Sequence, residues 1–289
     1  YKNQGLAGKA EQHLERLHRA LPEELRVIRA QIDLYRDTGA VQKAVARLLA
    51  LAESQRKAGA YEPALECLRQ ARELAPEQED ILRALLEYYQ EREDREAQSE
   101  ILLNLAELAS SRGLVGKQIA YLEEAWELDP GQYALGESLA DIHLARGDEA
   151  SAIVAWRRIA QAHRQEKRTE ALQKVYERIL SIQPSLARER FEFAQLLLER
   201  QQSDAASEQF EFIARQYAGQ LPPADPELVP VLEKTYQHLI ELTGELKHHS
   251  GLGDLYRAIN DYPSAGCAYY EALEQCPEDQ PEQAIEICR

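Results

Sequence analysis

An all-α solenoid of stacked antiparallel helices is the fold class this sequence predicts. Three observations carry it. Prolines recur at Pro22, Pro76, Pro130 and Pro184, each fifty-four positions after the last, and apolar residues repeat in step with them. Within the long stretches between them, apolar positions fall three and four residues apart, the periodicity of one buried helix face. The composition, 44% hydrophobic and 29% charged with 7% aromatic residues, suits a folded, helix-rich chain and argues against disorder. A fixed period of this length marks a repeat array, in which each unit buries its apolar face against its neighbours.

The stretch Gly59 to Pro76 shows the unit most clearly. Gly59 suits a left-handed turn, Ala64, Leu68 and Ala71 share one helix face, and Pro76 cannot continue a helix. Gly5, Ala10 and Leu14 are its counterparts one step earlier, so residues 1–22 read as the last helix of a preceding unit. A helix over 24–37 follows, with Leu25, Ile28, Ile32 and Tyr35 on one face and Thr38-Gly39 as its stop. A longer helix over 41–57 turns Ala44, Leu48, Leu51 and Ala52 inward, and the 59–76 helix closes a unit of three.

Moving along the second helix by the same step takes Leu48 to Leu102, Trp156 and Phe210, and Leu51 to Leu105, Ile159 and Ile213. Large apolar positions stay large and apolar. Ala52 becomes Ala106, Ala160 and Ala214, while Ala44 becomes Gln98, Ala152 and Ala206. Small residues at two places let helices approach closely on either side. The units expected are 23–76, 77–130 and 131–184, then an irregular unit over 185–244 and a shorter regular one over 246–279. In the irregular unit Gly219 to Pro226 form a proline-rich loop, and Pro230 sits early in a helix over 227–243 that stops at Gly244. Residues 280–289 begin another helix. The whole of 1–289 is expected to be a single solenoid, part of a longer array at both ends; the absence of any methionine, position 1 included, points to a processed or excised segment.

The formal charge of −16, from 34 basic and 50 acidic residues, argues against nucleic acid as a partner, because phosphate binding needs a basic surface. A basic partner is easier to accommodate. No apolar run approaches the roughly 18–20 residues that span a bilayer, so no membrane insertion is expected from this segment. Cys67, Cys267, Cys276 and Cys288 lack paired spacing and suit a reducing compartment. The cytoplasm is the expected location, with the periplasm as the alternative.

Leu252, Gly253, Tyr256, Ala265, Tyr269, Ala272 and Pro277 stand at the spacing of a helix-turn-helix repeat of about 34 residues. Ile28, Ile32, Tyr35, Gly39, Ala44 and Leu48 follow it more loosely, as do Leu82, Leu85, Tyr89 and Leu102. On these residues the chain resembles the tetratricopeptide repeat family from about residue 5 to 277. Its three-helix unit departs from the usual pair and is similar to the extended repeats of large bacterial scaffold proteins. The resemblance implies a right-handed superhelix with a groove for a protein or peptide, and a non-catalytic scaffold or adaptor. Two other roles suit such arrays: the substrate-recruiting arm of a larger enzyme, and a periplasmic scaffold in envelope assembly or exopolysaccharide export. The family's carboxylate clamp of Lys, Asn and Arg is absent, since the corresponding places hold Arg29 and Asp33, Arg83 and Glu87, and Glu137 and Asp141.

Seven residues are candidates for partner binding. Asp33, Glu87 and Asp141 are related by the repeat step and could line an acidic groove that steers a basic partner. Phe191 stands where earlier units carry Arg29, Arg83 and Glu137, and Phe212 where they carry Ala50, Asn104 and Arg158. Tyr217 replaces Gln55, Ala109 and His163, and Trp126 replaces Arg72. Aromatics at places that tolerate charge are either interface anchors or packing for the proline loop just beyond. His248 and His249, with Cys267 and Cys276, raise the question of a metal, but no pair among them has the three- or four-residue spacing that puts two ligands on one helix face. Neither metal nor cofactor is expected. No phosphate loop, nucleophile elbow or HExxH pair is present, so no catalytic residue is assigned.

Overall fold

The computed structural model describes residues 2–22 and 24–276, with side chains from Leu6 onward. Among the described residues the chain forms fifteen α-helices and no strand. In the first part these are α1 (Lys2–Ala20), α2 (Leu25–Asp37), α3 (Val41–Lys57), α4 (Tyr61–Leu74), α5 (Glu79–Glu91), α6 (Arg95–Ser111) and α7 (Val115–Leu128). They continue as α8 (Tyr133–Ala145), α9 (Glu149–Gln165), α10 (Thr169–Ile182), α11 (Ala187–Glu199) and α12 (Ser203–Tyr217). A short 3-10 turn (Pro226–Leu228) then leads into α13 (Val229–Thr243), α14 (Leu246–Ala258) and α15 (Tyr262–Glu274). The expected helix over 280–289, with Cys288, lies outside the described residues, as does Pro277.

The helix boundaries repeat with the sequence. Helices α2, α5, α8 and α11 are 13 residues each and begin one repeat step apart. Helices α3, α6 and α9 keep that step at 17 residues, and α4, α7 and α10 at 14 residues. Three-residue turns join the first helix of each regular set to the second and the second to the third, and each turn has its middle residue in the left-handed region. At Gly39 and Gly59 (φ +71° and +75°) glycine takes that conformation without a Cβ clash, and the next amides, of Ala40 and Ala60, reach back to the carbonyls of Tyr35 and Gln55 at 2.8 Å. Glu93, Lys167 and Gln201 hold the same conformation with side chains attached. Asp94 and Asp148 cap the long helices α6 and α9, each accepting a backbone N–H at 3.1 Å.

Packing follows the repeated positions. Leu48, Leu102, Trp156 and Phe210 are buried, as are Leu51, Leu105, Ile159, Ile213 and all four alanines at 52, 106, 160 and 214. Gln98, the exception among small residues, is buried too and donates its amide to the Tyr89 carbonyl at 3.0 Å, so its polar end is satisfied where alanine would need nothing.

The chain divides into two compact units, residues 1–139 and 140–289. In the first, each helix from α1 to α7 packs on the next. In the second, each from α9 to α15 does so, and α11 also packs against α13. There the period changes. The regular step from Thr169, the start of α10, would begin the next third helix at Pro223, but α13 begins at Val229, because residues 218–228 replace a three-residue turn.

Candidate functional site

The second unit carries the most distinctive surface, built by α11, α12 and the link from α10. Phe212, on the outer face of α12, is 42% exposed. Over its ring lies the Arg190 guanidinium, 3.7 Å from the centroid. Arg190 comes from α11 and is itself buried; it donates through Nη2 and Nε to the Pro184 carbonyl, at 2.7 and 3.3 Å, and through Nη1 to Gln209. No carboxylate among the described residues pairs with it, and burial pushes its pKa below the usual arginine range. These hydrogen bonds hold the guanidinium in place over the ring. Phe212 lines a cleft of about 800 Å³ whose walls include Pro184, Ser185, Ser207, Glu208 and Arg215.

A second cleft, of about 850 Å³, opens between α12, α13 and α14. Tyr236 forms part of its wall, its hydroxyl pushed up to about 12 by burial. Gly251 faces that ring so closely that a Cβ would stand 2.5 Å from Tyr236 Cε1, which is why α14 can seat there only with glycine at this place. On the rim, Glu211 from α12 meets Glu245, Lys247 and His248 at the start of α14. The Lys247 ammonium bridges the two carboxylates, 2.9 Å from Glu211 and 2.5 Å from Glu245. Burial alone would raise the Glu211 carboxyl, but the Lys247 hydrogen bond, with the charges of His248, Lys247 and Arg215, holds it below the ordinary carboxylate range. His248 is 2% exposed, and burial pushes its imidazole below the usual histidine range.

The expected site residues are dispersed. Phe191 is 7% exposed and is a core residue, contrary to the expectation of a surface anchor: its ring lies 5.6 Å from Phe210 and 6.1 Å from His238 of α13. The physical reason is the longer link, which lets α13 pack on α11 where charged residues stand in the earlier sets. Trp126 is likewise buried, with its indole N–H directed to the Pro130 carbonyl at 3.3 Å. Tyr217 ends α12 and is half-buried; Phe212 alone among the four aromatics is exposed. Asp33 and Glu87 are exposed on the first unit and Asp141 on the second. Glu87 lies 4.0 Å from the half-buried Arg56, and Asp141 lies 3.5 Å from Arg178, an exposed pair that contributes little to stability. His249 sits 3.5 Å from Glu271, and neither histidine groups with a cysteine among the described residues. Cys67 is buried and hydrogen-bonds Gln55 at 3.5 Å.

Two arrangements escaped the sequence reading. The stacking of Arg190 on Phe212 depends on how α11 meets α12, for which the sequence has no signal. The group of Glu211, Glu245 and His248 had half a signal, since Glu245 and His248 are three apart at the start of one helix, but Glu211 is brought in by the fold from α12, two helices earlier.

The fold and these sites define a helical-repeat protein. No family model matches the chain, and no curated protein matches it. Among solved structures it is similar to the crystal structure of BtubC (BKLC) from P. vanneervenii, at 16% identity over 94% of this chain and 88% of that one, with a TM-score of 0.25. It is also similar to two crystal structures of MamA, at 13% identity over 83% of this chain and 94% of that one, and at 14% over 78% and 94%, both with a TM-score of 0.20. The helical-repeat class therefore rests on the chain's own helices. No helix among the described residues is long and apolar enough to cross a membrane.

Proposed function

We propose that this chain is a tetratricopeptide-type interaction scaffold, non-catalytic, that docks a protein or peptide partner in the cleft around Phe212. The observation that carries the reading is an exposed phenylalanine, stacked against a buried arginine and lining a cleft. A ring already stacked in this way loses little rotamer freedom when covered, so burying it contributes most of its apolar area to binding. Aromatic anchors of this kind are worth about 2 kcal/mol or more at an interface. Glu208 in the cleft wall and the net charge of −16 favour a partner with basic residues around an apolar side chain, an attraction that salt weakens.

The test is a photo-crosslinking side chain placed at position 212 in cells that make the protein. A discrete adduct that forms at 212, and is absent with the same side chain at Arg158, supports the docking cleft. Equal labelling at both positions rejects it.

A further inference from the structure

Three ligand atoms converge beside the second cleft: one carboxylate oxygen each from Glu211 and Glu245 and the Nε2 of His248, all within 4.8 Å of one another. His248 Nε2 is 3.1 Å from Glu211 Oε1 and 3.7 Å from Glu245 Oε2. A zinc ion with bonds of about 2.0–2.1 Å spaces tetrahedral ligands about 3.4 Å apart. The two measured distances straddle that edge.

The histidine is the second, independent sign. Its side chain is almost wholly buried, yet Nε2 finds no hydrogen-bond partner; the nearby Glu211 oxygen is close enough but not aligned for one. Buried polar atoms are ordinarily satisfied, and this one lacks a hydrogen bond while lying 3.1 and 3.7 Å from two carboxylate oxygens. At present the Lys247 ammonium bridges the carboxylates, on a side chain that is 54% exposed. An imidazole in the set selects a transition ion over magnesium or calcium, which prefer oxygen alone.

We propose that Glu211, Glu245 and His248 form a binding site for a divalent transition-metal ion of the zinc class, with Lys247 as a built-in competitor that leaves when the ion enters. Two helices supply the ligands, Glu211 from α12 and the others from the start of α14, so the ion would clamp those helices together. Its fourth position would face the cleft.

The test is calorimetric titration of the intact chain with zinc chloride in the presence of excess magnesium. One zinc per chain is expected, undisturbed by magnesium. Glu245→Gln removes an exposed ligand without touching the core; since even outer-shell changes cost about 10–100-fold in metal affinity, the loss should be at least about tenfold. Lys247→Ala removes the competitor and should tighten binding, an effect opposite in sign to that of damage to the fold. Zinc binding that neither substitution alters, or no binding at all to the folded chain, overturns the proposal.

Discussion

Helices α5–α7 in the first unit and α11–α13 in the second begin from the same template, with first helices of 13 residues and long second helices whose buried positions correspond. They part at the next turn. In the first set three residues, Arg112 to Leu114, join α6 to α7; in the second, eleven residues join α12 to α13, and α13 comes to rest against α11. Arg83 on α5 stays exposed and pairs with Glu79 at 2.6 Å, whereas its counterpart Phe191 is buried against Phe210 and His238. Here the change of link goes with a change of the newly covered position from charged to aromatic. The same irregular set carries Phe212 and borders both clefts, so the break in regularity is where sites have room to form.

The largest way to break the comparison is Phe191→Ala. It should cost about 3 kcal/mol, as loss of a buried phenylalanine does, and hydrogen exchange should quicken through α11 and α13. Arg83→Ala, at the matching place, should change stability by no more than about 0.5 kcal/mol. Unchanged exchange in α13 would show that Phe191 does not hold that helix.

A smaller effect sharpens the comparison along the first helices. Gln31 stands where later sets carry Leu85, Leu139 and Phe193, and it is 1% exposed with neither amide atom paired. Replacing it with leucine removes an unsatisfied buried group, so Gln31→Leu should raise the stability of the first unit by about 1–3 kcal/mol. A loss of stability in denaturant unfolding would mean that the amide is bonded in solution.

Smallest is the turn at Lys167, which holds φ +57° where Gly59 and Gly113 stand in the earlier sets. Lys167→Gly should stabilise by about 0.5–1 kcal/mol, and Gly113→Ala should destabilise by a similar amount. Thermal unfolding of the two variants should move in opposite directions; shifts of one sign would deny that backbone conformation sets the difference.

The repeated helices were legible because they rest on local signals. The helix expected over 41–57 is α3 itself, and the one over 24–37 is α2 with Glu24 as its cap. Gly244 ends α13 in the left-handed conformation, as a helix-stopping glycine should. What could not be read depends on where a helix lands after an irregular link. Phe191 is an aromatic at a place that is charged elsewhere, and only the position of α13 decides that it is core. Trp126 misled for a related reason: in the earlier set Arg72 holds its place, and only the fold shows that an indole there tucks under its own turn toward Pro130. Left-handed turns at Glu93 and Gln201 gave no warning either, since no glycine marks them.

The claim that most needs testing is that Phe212 anchors a partner. The most direct measurement is quantitative mass spectrometry of proteins retained from native extract by the wild-type chain and by Phe212→Ser, each at low and moderate salt, with helicity checked by circular dichroism. A discrete protein held by the wild type at low salt, reduced by salt and lost with Phe212→Ser at unchanged helicity, is the expected result. The same proteins retained equally by both chains would contradict it.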